Sequence, residues 1–149
     1  MKLNKQIILA LVIMIATSAL FRLMPGRPYG FAPQIAIALF GGSLFAKQKQ
    51  YAFLLPILSM FISDLMYQVL YTYQLTAIQG FYAGQLENYI LIAATAVFGF
   101  NLQSGNLTKY VVSFLSAPTA YFLVSNGLVW AQGGGYGHPI TFIGFMQTM

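Results

Sequence analysis

The chain has 149 residues, of which 58% are hydrophobic and only 6% carry a charged side chain. A typical soluble domain carries about 25% charged residues, so this composition excludes an ordinary water-facing surface and indicates an integral membrane protein. The chain contains no cysteine, which excludes disulfides, thiolate metal sites and cysteine nucleophiles. Its net charge of +5 comes from basic residues scattered singly. That pattern is typical of charges that orient a membrane protein, and we expect no nucleic-acid partner.

Five apolar runs approach the roughly 20 residues that a helix needs to cross about 30 Å of hydrocarbon. In chain order they are Gln6–Leu23, Phe31–Ala46, Tyr51–Tyr73, Leu86–Phe100 and Tyr110–Trp130. A last run, Pro139–Met149, would reach only about 16 Å as a helix. The sequence therefore predicts an all-α fold, a polytopic membrane helix bundle with five spans plus a partial sixth, in a single transmembrane domain over residues 1–149. The tail is re-entrant, surface-lying or the start of a C-terminal helix lost by truncation, and we favour truncation.

The distribution of lysine and arginine predicts the orientation of this bundle. With the N-terminus inside, only Arg22 and Arg27 fall on the outer side. The inner side collects Lys2, Lys5, Lys47, Lys49 and Lys109. This bias predicts a cytoplasmic N-terminus. Residues 1–19 also fit a secretory signal peptide, but four further apolar runs follow them, so we favour a first span.

Asp64 is one of only two acids in the chain and lies inside the third apolar run. At a rise of about 1.5 Å per residue it lies about 20 Å above Tyr51, slightly outside the bilayer centre. A charge there costs at least a few kcal/mol unless it is paired, hydrated or protonated. Tyr67, Gln68 and Tyr71 follow at helical spacings that place them on the same face. We predict a polar stripe that lines an outward-facing, solute-binding pocket; alternatively, Asp64 is structural and hydrogen-bonds across helices.

Other polar residues of the predicted spans and loops fall on the outer side. Arg22 ends the first span, Arg27 lies in the first outer loop and Asn126 lies near the outer end of the fifth span. We predict that these three residues also contact the solute, although Arg22 could simply snorkel to the interface and Arg27 could be a loop charge. The positions of Glu87 and His138 in the sequence match no metal-binding motif, and we predict no metal ion or cofactor.

Small residues recur every four positions along the second apolar run, at Ala38, Gly42 and Ala46. Such a face lets helices approach closely. Packing inside the bundle is the first interpretation, and docking of a partner membrane subunit is the second. Pro56 and Pro118 lie inside the third and fifth runs, where they are expected to kink the helices.

Several of these segments also carry a resemblance to a known family. "RLMPGRPYGFAPQIAIALFGGSLF" and "FLLPILSMFISDLMY", followed by "FLVSNGLVW" and "YGHPITFIGF", resemble a family of small bacterial membrane proteins described as candidate transport proteins and otherwise uncharacterised. The likeness runs from about Phe21 to Gly144. In that family the last motif leads into a further apolar helix. The resemblance implies a multi-pass protein of the bacterial cytoplasmic membrane.

That family is similar, more loosely, to the substrate-capturing component of energy-coupling factor vitamin transporters. Those are six-helix proteins whose pocket opens on the extracellular side under the first outer loop. The resemblance implies that the loop Met24–Gly30 acts as a lid and that Arg22 and Arg27 face an anionic ligand. It assigns no substrate.

These observations lead to three functional hypotheses. The first is a transport component that captures a small solute from outside; no nucleotide-binding motif occurs, so any energy coupling comes from a partner. The second is a structural or assembly subunit of a membrane complex without a small-molecule ligand. The third, an intramembrane enzyme, is least favoured because Asp64 is expected to lie over two helical turns deeper than Glu87, so the two acids are not placed to act together. We predict that the protein is not an enzyme.

Overall fold

The computed structural model describes residues 5–24, 26, 33–102, 105–133 and 137–149, and every regular element in these ranges is helical. The helices are α1 (Lys5–Leu23), α2 (Pro33–Leu44), α3 (Lys49–Thr72), α4 (Gln85–Ala94), α5 (Ala96–Gly99), α6 (Leu107–Ala131) and α7 (Phe142–Thr148). The all-α prediction is therefore confirmed. Each predicted apolar run overlaps a helix, and the fourth run overlaps two, because the helix is interrupted at Thr95.

Two of the helices, α3 and α6, are long and apolar enough to cross a membrane. They contain 24 and 25 residues, more than the roughly 20 needed. The apolar part of α1 and the whole of α2 are shorter. The structure thus indicates a membrane protein with two candidate spanning helices among the described residues.

Side-chain contacts fix the directions of the first three helices. Ser59 Oγ donates to Ser18 Oγ at 3.1 Å, and Arg22 of α1 reaches Ser63 one turn further along α3, so α1 and α3 run parallel. A Cβ added to Gly41 of α2 would lie 3.1 Å from the Leu55 side chain. Because only residues 45–48 connect α2 to α3, these two helices are antiparallel.

The remaining long helices continue the up-and-down order. Gln85, at the start of α4, contacts Asp64 near the end of α3, so α4 runs against α3. Ser113 Oγ, near the start of α6, donates to the carbonyl of Phe98 at the end of α5, at 2.9 Å. We call the end at which α1 and α3 finish and α2 and α4 begin the outer end, and the opposite end the inner end.

The core is centred on α2, whose small residues are covered by the chain itself. Ala38 is fully buried and packs in a cluster with Phe45, Ala52 and Ala96. A Cβ on Gly42 would collide with the Ala96 carbonyl and lie 2.9 Å from Gly99 Cα. The expectation of a partner-docking face at Ala38 and Gly42 therefore needs correction, because α5 already occupies that face. Ala46 lies beyond the end of α2 and is only half-buried.

The surface of α6 is apolar and open. Only Ser113 and Ala117 of its 25 residues are buried, whereas Phe114 and Leu115 are more than half exposed. Soluble monomers rarely present contiguous apolar surface of this extent. Such a surface is typical of a helix that crosses a membrane.

The tail forms α7, which packs on the outer end of α6. The Trp130 ring meets the Phe145 ring edge-on at 5.3 Å between centroids, and its indole Nε1 donates to the Pro139 carbonyl at 3.1 Å. The predicted tail therefore contains a short helix, Phe142–Thr148, which folds back onto the end of α6.

Candidate functional site

A buried ion pair joins α1 to α3 in the outer half of the bundle. Arg22 Nη1 donates to Asp64 Oδ1, and the same nitrogen donates to Ser63 Oγ at 2.5 Å. The Asp64 side chain is 1% exposed and that of Arg22 is 15% exposed. Arg22 lies in the last turn of α1, where a positive charge also interacts favourably with the helix dipole.

The second oxygen of Asp64 is held by α4. Gln85 Nε2 and Tyr89 Oη both donate to Asp64 Oδ2, each at 2.5 Å. The two donors are four residues apart and therefore share a face of α4. Both carboxylate oxygens thus have partners within the chain, and Asp64 has no oxygen left without a donor.

Tyr67 completes the contact between α1 and α3. Its hydroxyl donates to the Arg22 carbonyl at 2.6 Å, and its ring lies 5.9 Å from the guanidinium carbon of Arg22. That carbonyl belongs to the last turn of α1, where no further turn of helix can satisfy it. Tyr67 therefore helps to end α1 and holds the guanidinium over an aromatic face.

The connection between α3 and α4 folds back over this cluster through Gly80. Gly80 is buried, and a Cβ at this position would lie 2.7 Å from Gln68 Cβ and would collide with the Asp64 carbonyl. The Gly80 carbonyl accepts from Gln85 Nε2 at 3.1 Å. Only glycine allows the loop to approach α3 this closely, and the loop covers Asp64 from the outer side.

The predicted polar stripe on α3 therefore divides into two parts, which corrects the expectation of one pocket wall. Asp64 and Tyr67 are buried and hydrogen-bonded, whereas Gln68 is half-buried and Tyr71 is exposed. The sequence pattern placed all four on one face correctly. It could not indicate that the following loop would cover half of that face.

The outer half of the stripe borders an open groove of about 520 Å³ at the outer end of α3. Tyr71 accepts a hydrogen bond there from Gln79 Nε2 at 3.2 Å. Among the described residues, no charged side chain lines this groove. Its lining residues are Gln68, Tyr71, Thr72, Gln74, Thr76 and Ala77.

A larger cavity of about 610 Å³ lies between α2 and α6 and is mainly apolar. Leu39 and Phe40 line it from α2, and Phe114 and Pro118 line it from α6. Its described lining residues include no polar cluster comparable with the one around Asp64. An apolar cavity suits a hydrocarbon chain better than a polar solute.

The other predicted solute contacts are separate from the Asp64 cluster or lie outside the described residues. Asn126 is half-buried, and its Nδ2 donates to the Phe122 carbonyl of its own helix at 2.9 Å. Arg27, and most of the loop predicted to act as a lid, lie outside the described residues. Glu87 is exposed and accepts from Gln132 at 3.0 Å. Among the described residues, no group of three or more histidines and acids could hold a metal ion.

Sequence reasoning missed three members of the site. Gln85 and Tyr89 satisfy Asp64, and their four-residue spacing at the start of the fourth apolar run was a usable signal. Gly80 carried no signal, since a glycine in a loop rarely indicates contact with a distant helix. Arg22 and Asp64 were both predicted as solute contacts, but their mutual pairing was not.

Comparison with known proteins gives a family but no function. A family model described as a family of unknown function (DUF6580) matches residues 1–149, the whole length of the chain. The chain belongs to this family. No curated protein and no solved structure matches it.

Proposed function

We propose that the chain is a membrane transport component that captures a small solute from the extracytoplasmic side, with any energy coupling supplied by a partner. In this proposal the chain crosses a bacterial cytoplasmic membrane five times, through α1, α2, α3, α4–α5 and α6, with its N-terminus in the cytoplasm. The observation that carries the proposal is the position of the polar side chains. The buried ion pair of Arg22 and Asp64, with its partners Gln85 and Tyr89, lies in the outer half of the bundle. The buried polar side chains toward the inner end, Thr95 and Ser113, are uncharged.

The charges of the described residues support this orientation. Lys5, Lys47, Lys49 and Lys109 all lie at the inner end, by their positions at the start of α1, between α2 and α3, and at the start of α6. Arg22 lies at the outer end of α1, paired with Asp64. Lysine enrichment on one side is the usual mark of the cytoplasmic side.

The short α2 is compatible with five spans because of where it lies. Twelve residues of helix reach only about 18 Å. Six of those residues are buried inside the protein, and a shorter helix is tolerated where neighbouring protein, rather than lipid, surrounds the backbone.

In this proposal the solute first meets the open groove beside Gln68 and Tyr71, and the Arg22–Asp64 pair holds the surrounding helices in place. The groove offers amide and hydroxyl groups and faces outward. Asp64 then acts as a positioning residue, because its oxygens are occupied by Arg22, Gln85 and Tyr89.

Native mass spectrometry of the detergent-purified protein tests the proposal, after incubation with a small-molecule extract of the growth medium. We expect a reproducible small-molecule adduct that is lost in Tyr71→Ala. The matched control is Tyr73→Ala, which removes a neighbouring tyrosine that is 72% exposed and should keep the adduct. Absence of an adduct in the unaltered protein, together with a persistent protein partner, would contradict capture of a solute.

That second result would favour the alternative function, a structural or assembly subunit. The specific observation in its favour is that Asp64 is satisfied entirely by its own chain. A buried, fully paired acid can hold helices together without contacting any ligand.

A further inference from the structure

We infer that the amide of Gln34, on the inward face of α2, is a solute-binding donor for a small uncharged molecule that presents a carbonyl or hydroxyl oxygen. This inference rests on the proposed function and deepens it, because it names an interior contact and a class of solute. Gln34 lies in the first turn of α2, at the outer end of the bundle.

The position of Gln34 on the helix directs its side chain into the bundle. It is 5% exposed, and the residues three, four and seven positions further on, Ile37, Ala38 and Gly41, are all buried. Residues at those spacings share one face of a helix. Gln34 therefore belongs to the core face of α2, not to the face that borders lipid.

The register between α2 and α3 places Gln34 at the level of the buried serines of α3. Gly41 packs against Ala52 and Leu55. The two helices are antiparallel, so moving toward the outer end from this contact means moving back along α2 and forward along α3. Two helical turns in that direction lead to Gln34 on α2 and to Ser59 on α3. Ser59 and Ser63 are both fully buried, so this layer of the interior is polar and leads toward Arg22 and Asp64.

The side-chain nitrogen of Gln34 has no hydrogen-bond partner in the part of the chain that the structure describes. Gln85 provides the comparison within the same protein, because its Nε2 contacts Asp64, Gly80 and Tyr89. An amide donor that is buried without a partner destabilises the fold. A buried donor without a partner needs an explanation, and a bound solute that presents an oxygen would supply the missing acceptor.

The charge of the surroundings selects the class of solute. Arg22 and Asp64 neutralise one another, and Gln34 is uncharged, so the described residues of this layer carry no net charge. A charged solute would lose its hydration without gaining a counter-charge. An uncharged solute needs only an oxygen that accepts from the Gln34 amide. This inference differs from the expectation, implied by the resemblance, that Arg22 faces an anionic ligand.

The first test compares the thermal unfolding of two glutamine variants in detergent, without added solute. Gln34→Leu removes the unpaired donor and keeps the side-chain size, so we expect its unfolding midpoint to rise above that of the unaltered protein. Gln85→Leu removes three hydrogen bonds and should lower the midpoint. A midpoint that is unchanged or lower in Gln34→Leu would overturn the inference, because the amide would then serve the fold.

The second test measures whether small molecules reach this position. Because the chain contains no cysteine, Gln34→Cys introduces a single thiol. We expect uncharged methyl methanethiosulfonate to label it in the folded protein at least about tenfold faster than the anionic sulfonatoethyl or cationic trimethylammonium-ethyl analogue. Ile37→Cys, one turn deeper on the same face, should remain unlabelled.

The labelling results decide the inference independently of the adduct. No labelling of Gln34→Cys in the folded protein would overturn it, because the interior would then be closed to solutes and could hold at most a water molecule. Equal labelling by the charged analogues would overturn the uncharged class. Neither test uses the native solute, so a missing adduct would count against the proposed function alone.

Discussion

Removal of the Asp64 carboxylate should destabilise the protein strongly, because it leaves three donors without their acceptor. In Asp64→Ala, Arg22 loses its counter-charge, and Gln85 and Tyr89 each lose a hydrogen bond of 2.5 Å. Breaking a buried ion pair by removing one partner costs about 3–5 kcal/mol. Arg22 is 15% exposed and can partly rehydrate, so we expect the lower limit, about 3 kcal/mol.

For a chain of this length, about 3 kcal/mol corresponds to a fall of roughly 6–12 °C in the unfolding midpoint. Circular dichroism in detergent can follow the loss of helix. Glu87→Ala is the matched control, because it removes the other acid of the chain, which is exposed and accepts a hydrogen bond from Gln132. Its effect should stay within about 0.5 kcal/mol. Equal midpoints for Asp64→Ala and Glu87→Ala would refute the reasoning.

Three further predictions follow from close contacts in the fold. Gly42→Ala should lower the free energy of unfolding by about 1–3 kcal/mol, because the added Cβ would collide with the backbone of α5. Gly127→Ala is the control and should be tolerated, because the nearest atoms to its added Cβ would lie at 3.9 Å. Denaturation of both variants in detergent checks the difference. Gly80→Ala should detach the loop from α3 and speed proteolysis within residues 73–84; an unchanged cleavage rate would contradict the contact. Trp130→Phe should cost about 1 kcal/mol by removing the bond to Pro139 and should speed amide hydrogen exchange in α7.

The positions of the helices could be predicted from the sequence because lipid-facing and core-facing helices both consist of long apolar runs. The third and fifth runs, for example, match α3 and α6 to within about three residues. The internal break at Thr95 was not predicted. Its hydroxyl donates to the Ile92 carbonyl at 2.6 Å, a local alternative to the regular helix bond that a hydropathy pattern does not register.

The partners within the site were harder to predict than its members. Asp64, Arg22 and Tyr67 are all predicted as solute contacts, because polar residues in or at the end of an apolar run are rare and each needs an explanation. The structure brings the three together in one hydrogen-bonded cluster. Their pairing depends on the lateral order of α1, α3 and α4, which no periodicity reveals. The contacts of Gly80 and Gln34 depend on the same lateral order of helices. Gly80 contacts α3 because the loop before α4 folds back onto that helix. Gln34 is buried because its face of α2 packs against the other helices.

Capture of a solute from outside requires that the polar end of the bundle faces outward across a membrane. Single cysteines at Tyr73 and Lys109, introduced one at a time into the cysteine-free chain, test this claim in intact cells with a membrane-impermeant thiol reagent. We expect that Tyr73→Cys is labelled from outside and that Lys109→Cys is labelled only after the membrane is permeabilised. Labelling of Lys109→Cys in intact cells, with Tyr73→Cys protected, would contradict this orientation.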